Sequence, residues 1–373
     1  MAHQFGLDEQ TDSRWLALTR SIETGARWLD QVLQQFPSPE AILGCSAQRA
    51  STLGLAPLQQ ALEQPRLAKL PETLLSGPPL CLVTPHDPEY PPLLAECSER
   101  PPFLFCRGAL QYLSAITLSI VGTRKPSLEG RRAAKEFAAG AAESGLVVVS
   151  GLALGIDGIA HDAALAVGGS TVAVLPSGMD RIYPARHQML AERVMAEGVL
   201  VSEFPLGTPP RKHHFHRRNR TLSGFSEATL VVEAGRPSGT LITAGAAADQ
   251  GRDVLVLPWS IYHREGAGCR YLLEDGAVLV QSVEAMRAHL GVLTPPSGSL
   301  PHKPPPAPAG SHNESTLDAD QQALLSLLAS GTHGADTLSA DLNWDINRCL
   351  ACLTALEISG RVQRVSGGYT AVA

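Results

Sequence analysis

The chain has 373 residues, of which 44% are hydrophobic and 18% charged, and its formal net charge is −6 at pH 7. This length and composition allow a sizeable core and two or three domains. The acidic balance excludes a protein that coats nucleic acid through its total charge, but it leaves room for a local basic patch. No apolar stretch reaches membrane-spanning length and residues 1–12 do not resemble a signal peptide, so we expect a cytoplasmic protein without a membrane partner.

Residues 1–80 have a helical pattern and predict a small N-terminal domain of the SAM-like type. The turn at residues 21–25 lacks the paired glycines with which a helix-hairpin-helix holds a phosphate backbone. We therefore favour packing or regulation over DNA binding for this domain. The proline-rich segment 83–108 that follows is typical of edge strands and turns.

Residues 81–292 predict an α/β domain with an extended Rossmann-like, doubly wound and mostly parallel sheet. Apolar runs without alternation, separated by alanine-rich helical stretches, indicate strands that are buried on both faces. The seven predicted strands are Leu118–Val121, Leu146–Ser150, Thr171–Leu175, Leu200–Ser202, Leu230–Glu233, Val254–Leu257 and Val278–Val280.

Glycine loops follow several of these strands immediately. Gly122-Thr123-Arg124 follows the first strand, Gly151 to Gly155 the second, and a loop containing Ser238-Gly239-Thr240 the fifth. Loops at the carboxyl ends of parallel strands share one crevice, where glycines let backbone N–H groups approach an anion. The dinucleotide fingerprint G-x-G-x-x-G is absent, so the pattern predicts phosphate binding without indicating a nucleotide cofactor.

The stretch Arg211–Arg220 carries five fixed positive charges, three histidines and one phenylalanine. Such a stretch suits phosphate contacts and stacking on unpaired bases, and a solvated loop is the alternative. We favour a basic loop lying against the sheet, because Thr221-Leu222-Ser223-Gly224 follows at once. The flanking cations disfavour metal binding by His213, His214 and His216.

A proline-rich linker is predicted at residues 293–316 and a winged-helix domain at residues 317–373. The domain should contain helices at 317–329, 335–342 and 344–359 and a terminal hairpin. Its third helix carries one arginine, Arg348, beside Asp345 and Glu357, so protein contact is favoured over reading of duplex DNA. Cys349 and Cys352 form a C-x-x-C without a second pair nearby, which favours apolar helix positions over a zinc or redox site.

Several motifs in this order resemble the DprA/Smf family of bacterial DNA-processing proteins. The resemblance is dense over residues 85–285 and weaker at both ends. It is carried by Asp87-Pro88-Glu89-Tyr90-Pro91-Pro92, Ile120 to Arg124, Ser150 to Asp157 with His161, Arg181-Ile182-Tyr183-Pro184, Val201 to Pro205, Arg217-Arg218-Asn219-Arg220 and Ser238 to Ala244.

The resemblance implies a protein that binds and protects single-stranded DNA during natural transformation and loads the RecA recombinase onto it, often displacing single-strand-binding protein. It also implies a homodimer, without a cofactor or a metal. The DNA-binding residues implied by the match are Gly122, Thr123, Arg124, Gly151, Leu152, Gly155, Arg186, Lys212, Arg217, Arg218, Asn219, Arg220, Ser238, Gly239 and Thr240. The chain departs from the family pattern at His213–His216 and at Pro258-Trp259-Ser260, where one rim of the crevice would change.

No catalytic residue is predicted. Asp157, His161, Glu233 and Cys269 could act as acids, bases or nucleophiles, but sequence spacing pairs none of them. We expect Asp157 to cap its helix, His161 to pack on that helix and Cys269 to be buried. The alternatives are a phosphoribohydrolase-type enzyme, disfavoured because no carboxylate follows Ser238-Gly239-Thr240, and a pure adaptor, disfavoured by the intact Arg217-Arg218-Asn219-Arg220.

Overall fold

The computed structural model describes residues 2–21, 32, 35–36, 38–63, 70–292, 319–328, 332–342, 344–358, 361–365 and 368–371. The chain divides into two compact units, Met1–Pro305 and Pro306–Ala373. The predicted linker 293–316 and the predicted turn at residues 22–25 lie outside the described residues. The predicted boundary between residues 80 and 81 stays a prediction.

The first unit is built on a ten-stranded sheet. In chain order its strands are β1 (His3–Gln4), β2 (Leu80–Val83), β3 (Leu104–Gly108), β4 (Thr117–Val121), β5 (Val147–Ser150), β6 (Thr171–Leu175), β7 (Val199–Ser202), β8 (Ala228–Val231), β9 (Asp253–Val256) and β10 (Val278–Leu279). Their order across the sheet is β1-β2-β3-β7-β6-β5-β4-β8-β9-β10. All seven predicted strands are confirmed, with boundaries within two residues.

The chain winds outward from β4 in both directions. Strands β5, β6 and β7 extend the parallel sheet to one side, and β8, β9 and β10 extend it to the other. The direction of winding therefore reverses between β4 and β8, and an open α/β sheet has its ligand crevice outside the carboxyl ends of the strands at such a switch point.

Thirteen described α-helices belong to the first unit. They are α1 (Glu9–Ser21), α2 (Pro39–Leu43), α3 (Ala47–Thr52), α4 (Ala56–Glu63), α5 (Glu72–Leu75), α6 (Pro92–Ala95), α7 (Leu128–Glu143), α8 (Ile156–Ala166), α9 (Gln188–Glu197), α10 (Lys212–Gly224), α11 (Gly239–Asp249), α12 (Ala267–Glu274) and α13 (Val283–His289). Within the described residues, none of the helices combines the length and the apolar character needed to cross a membrane.

Helix α7 illustrates how the sequence forms these elements. Ser127 caps it, because its Oγ accepts a hydrogen bond of 2.9 Å from the Gly130 amide. Ala134, Ala138 and Ala141 recur at helical spacing and are buried, which lets α7 pack closely on the sheet.

Three antiparallel strands extend the sheet beyond β7. Strand β3 pairs with β7, β2 with β3, and β1 with β2. The sequence predicted edge strands near residues 83–108 but did not locate β1. The N-terminal helices share one hydrophobic cluster with this part of the sheet, in which Trp15 and Phe105 are both fully buried.

The second unit contains helices α14 (Ala319–Leu328), α15 (Ala335–Asp341) and α16 (Ile346–Ile358). Strands β11 (Val362–Val365) and β12 (Gly368–Ala371) form an antiparallel hairpin after them. Leu324, Leu353 and Cys349 belong to its core, so Cys349 occupies an apolar helix position as predicted. The predicted winged helix is confirmed.

Candidate functional site

A cavity of about 790 Å³ lies at the switch point of the sheet. The loop after β4 lines it through Gly122 to Arg124, and the loop after β8 lines it through Ser238 to Thr240. Helix α10 closes one side. Two of the three glycine loops and the basic stretch that predicted phosphate binding therefore meet in one place.

The loop after β4 is held from two directions. The Thr123 amide donates to the carbonyl oxygen of Glu233 over 2.7 Å, and the Thr123 carbonyl accepts from the Ile156 amide over 3.2 Å. A Cβ on Gly155 would lie 2.3 Å from the Thr123 carbonyl oxygen, and Gly155 has φ +82°. Both its backbone conformation and this close approach require a glycine at position 155.

The loop after β5 is fixed through Leu152, which has φ 55° in the left-handed region. The Leu152 amide donates to His161 Nε2 over 3.3 Å, and its carbonyl accepts from His187 Nδ1 over 2.9 Å. His161 Nδ1 in turn lies 2.7 Å from Thr171 Oγ1, whose hydroxyl donates to the Val148 carbonyl. This chain places the proton of His161 on Nδ1.

The His161 ring is fully buried, and burial lowers its pKa to about 3. Nearby positive charge from His187 and Arg218 acts in the same direction. The imidazole therefore stays neutral at physiological pH and serves as an acceptor for the Leu152 amide. His161 packs on α8, as predicted.

The basic stretch is a helix and not the predicted loop. Helix α10 begins at Lys212, and its residues at positions i, i+3, i+4 and i+7 share one face. Lys212, Phe215, His216 and Asn219 occur at that spacing and all line the cavity. The sequence pattern did not reveal this helix face, because most of the residues that line the cavity are polar and do not form an apolar stripe.

The three arginines of this helix, at positions 217, 218 and 220, lie in different surroundings. Arg217 Nε donates to the buried carboxylate of Glu203 over 2.6 Å. Arg220 forms an exposed ion pair of 3.0 Å with Glu99. Arg218 is only 4% exposed and borders the cavity from within the protein.

Arg218 ties the strand-end loops together. Its guanidinium donates to the carbonyl oxygens of Gly151 and Val174, the second over 3.0 Å, while Nε donates to the Asn219 side chain. Burial lowers the pKa of Arg218 to about 10, and the charge of Asp157 opposes this shift. Arg218 therefore remains a cation at neutral pH.

Asp157 is the electrostatic counterpart of Arg218. Burial raises the pKa of Asp157, while Arg218 and backbone hydrogen bonds from the loop after β5 act in the opposite direction. Its Oδ2 accepts from the Gly151 amide over 3.2 Å. The predicted helix cap is wrong in detail, because Gly155 occupies the N-cap position and Asp157 lies in the first turn.

Two helix N-termini add positive potential to the cavity. Helix α11 begins after Ser238, whose Oγ accepts from the Thr240 amide over 3.1 Å. Helix α10 has Arg211 at its N-cap, Lys212 at its first position and no acidic residue in its first turn. Cations at a helix N-terminus are repelled by the helix dipole, so a bound anion would be favoured there.

Phe215 is the aromatic centre of the cavity. The Arg124 guanidinium carbon lies 5.2 Å from its ring centroid, and the Tyr183 ring packs edge-on with centroids 5.7 Å apart. Both aromatic residues line the cavity. A cation beside an aromatic face provides the two contacts that an unpaired nucleotide uses, one for phosphate and one for a base.

Nine of the predicted site residues line this cavity. They are Gly122, Thr123, Arg124, Lys212, Arg218, Asn219, Ser238, Gly239 and Thr240. The others, Gly151, Leu152, Gly155, Arg186, Arg217 and Arg220, lie outside its lining. Their contact with DNA stays a prediction, and Gly151, Leu152 and Gly155 support the cavity through the contacts described above.

One contact of a buried acid was not anticipated from the sequence. Glu233 is fully buried, and its Oε1 accepts from His263 Nε2 over 2.6 Å while its Oε2 accepts from the Ser127 amide over 2.9 Å. Thirty residues separate Glu233 from His263, so spacing gave no signal. Cys269 is buried, as predicted.

The fold and the site define a DNA-processing protein once they are compared with known families. Residues 81–291 match the family model of DNA recombination-mediator protein A, and residues 302–368 match that of the DprA winged helix domain. The first match alone spans more than half of the chain. The chain belongs to the DprA/Smf family.

Individual relatives agree with this assignment. Protein Smf of Escherichia coli is 38% identical over 294 residues, which are 76% of this chain and 76% of the relative. The X-ray structure of DprA from Streptococcus pneumoniae is similar with a TM-score of 0.60 and 29% identity, covering 75% of this chain and 95% of that chain.

A second solved structure concerns the single-stranded DNA binding mode of DprA from Helicobacter pylori. It is similar with a TM-score of 0.52 and 28% identity, covering 56% of this chain and 95% of that chain.

Proposed function

We propose that this protein binds single-stranded DNA in the cavity at the switch point. The observation that carries the proposal is the placement of Arg124 beside the Phe215 ring, with Lys212 and the N-terminus of α11 lining the same cavity. Within the described residues, no ion pair engages Arg124 or Lys212, whereas Arg217 and Arg220 are paired with carboxylates. Arg124 and Lys212 are therefore the cations we assign to phosphate.

The same geometry supports binding without catalysis. The Asp157 carboxylate is buried against Arg218 and the loop after β5, and the Glu233 carboxylate is held by His263 and Ser127. Both acids are occupied in supporting the loops. The enzyme alternative would require a carboxylate beside Ser238-Gly239-Thr240, and Asp157 is the only acid among the described lining residues.

We further propose that the bound strand is a substrate for recombination in the cytoplasm. In this proposal a homodimer protects incoming single strands, displaces single-strand-binding protein and loads RecA. Membership of the recombination-mediator family supports it. It is tested by RecA ATP hydrolysis on single strands coated with single-strand-binding protein, which should rise with wild-type protein and not with Arg124→Ala.

DNA binding is tested by fluorescence anisotropy with single-stranded and duplex oligonucleotides across a salt series. Wild type should prefer single strands, and Arg124→Ala and Lys212→Ala should each reduce the slope of log affinity against log salt by about 0.7, the value for one phosphate contact on single strands. Arg220→Ala removes an equal charge from a residue of α10 that is paired with Glu99 and does not line the cavity, and is the matched control. Equal losses in all three variants would contradict the assignment of the cavity.

A further inference from the structure

The loop that follows β9 carries two large exposed side chains side by side. Ile261 is 72% exposed and Tyr262 is 89% exposed. Single exposed hydrophobic residues are common on protein surfaces, but an adjacent pair at the tip of a well-held loop calls for a physical reason.

The loop is held rigidly beneath these two side chains. The Trp259 ring stacks on the His263 ring with centroids 4.3 Å apart and an interplanar angle of 17°, and Trp259 Nε1 donates to the Val232 carbonyl over 2.8 Å. Arg270 donates to the carbonyl oxygens of Ser260 and His263, over 2.7 and 2.9 Å. Ile261 and Tyr262 thus project from a closed turn whose ends are both anchored.

This loop is joined directly to the loop that carries Arg124. His263 donates to one oxygen of Glu233, whose other oxygen accepts from the Ser127 amide and whose carbonyl accepts from the Thr123 amide. One buried side chain therefore bridges the two loops. Because β9 is the neighbour of β8 in the parallel sheet, both loops lie at the same edge, outside the carboxyl ends of the strands.

Cations occur in the loop that carries Tyr262 and in the two loops joined to it through Glu233. Arg264 is exposed beside it, and Lys125 is exposed in the loop across Glu233. Arg236, at the exit of β8, lies with its guanidinium carbon 4.0 Å from the Tyr271 ring centroid. Glu265 is the exposed acid in the turn, so cations outnumber acids along this rim.

We propose that single-stranded DNA continues from the cavity over the loop after β9, where an unpaired base stacks on Tyr262. The inference rests on the proposed function, since it extends the same strand beyond Arg124. Tyrosine suits this use because it offers a flat face at a small cost in conformational entropy. Ile261 would cover the edge of the same base.

The test compares Tyr262→Ala with wild type by anisotropy, using a thymidine trinucleotide and a 20-nucleotide oligothymidine. A base stacked on an aromatic ring is worth roughly a 5- to 150-fold change in affinity. That loss is expected with the long oligonucleotide and not with the trinucleotide, and Tyr262→Phe should retain wild-type affinity. The control is Ile116→Ala, which removes an exposed hydrophobic side chain just before β4, at the amino-terminal ends of the parallel strands and away from the cavity.

The outcomes separate this inference from the proposed function. If Arg124→Ala weakens binding while Tyr262→Ala binds the long oligonucleotide as wild type does, the cavity stands and the second platform is refuted. If wild type binds neither oligonucleotide, the proposed function itself fails. If Tyr262→Ala changes self-association in light scattering and leaves DNA affinity intact, the exposed pair is a protein contact and the inference is overturned.

Discussion

Arg218 provides the sharpest test of how the site is built. It belongs to the motif Arg217-Arg218-Asn219-Arg220, whose basic residues were predicted to contact phosphate. Yet Arg218 is buried and donates to the Gly151 and Val174 carbonyl oxygens. Arg218→Met keeps the length of the side chain and removes the charge and the donors. We expect it to lower the free energy of unfolding by about 3–5 kcal/mol, because it leaves two buried carbonyl groups without donors and the Asp157 charge without its counterpart.

The pH dependence of this loss has a definite sign. Burial already raises the pKa of Asp157, and removing the opposing Arg218 charge raises that pKa further. A raised pKa in the folded state makes the folded protein bind more protons than the unfolded chain, so stability falls as pH rises. The difference between wild type and Arg218→Met should be larger at pH 8 than at pH 5.

Urea unfolding followed by tryptophan fluorescence measures this difference. Adding Asp157→Asn to Arg218→Met should recover about 0.5–3 kcal/mol, as a coupled pair in one network does. The reasoning would be refuted if Arg218→Met unfolded like wild type at both pH values and lost single-strand affinity. Arg218 would then be a phosphate ligand and not a support of the loops.

Two further predictions concern the loop after β5. Burial lowers the pKa of His161 to about 3, from an ordinary value of 6.5, so the contribution of the neutral ring to the free energy of unfolding should be complete above pH 6.5 and decline toward pH 3. In urea unfolding, His161→Gln should therefore show a flatter dependence on pH between these values. Gly155→Ala should weaken both stability and single-strand affinity, because its Cβ would lie 2.3 Å from the Thr123 carbonyl oxygen. Gly251→Ala is the control in the same assays, because Gly251 has a positive φ of 69° with no atom near the added Cβ. Equal effects of the two substitutions would show that backbone strain alone is responsible.

The sheet could be predicted because its strands carry an unambiguous physical signal. Val147 to Val149 and Val172 to Leu175 are apolar at successive positions, as strands covered on both faces must be, and both are buried throughout. Strand β1, with only two residues, has no periodicity to detect.

The site was predictable only in part because sequence reports charge and not direction. Arg217, Arg218 and Arg220 look equivalent along the chain, but successive helix positions differ in direction by about 100°. One therefore meets Glu203, another the interior and the third Glu99. Recognition of the helix, from Lys212 and Phe215 at i and i+3, is what would have separated them.

The buried charges explain how an acidic chain can present a basic crevice of fixed shape. Asp157 and Arg218 join the loop after β5 to α10, and Glu233 joins the loops after β4, β8 and β9. These groups are buried from bulk water, so their charges act mainly on one another. Arg124 and Lys212 then line the cavity on a loop and a helix that these buried groups hold in place. A crevice built in this way favours a flexible single strand, whose bases can turn toward Phe215, over a duplex whose bases are already paired.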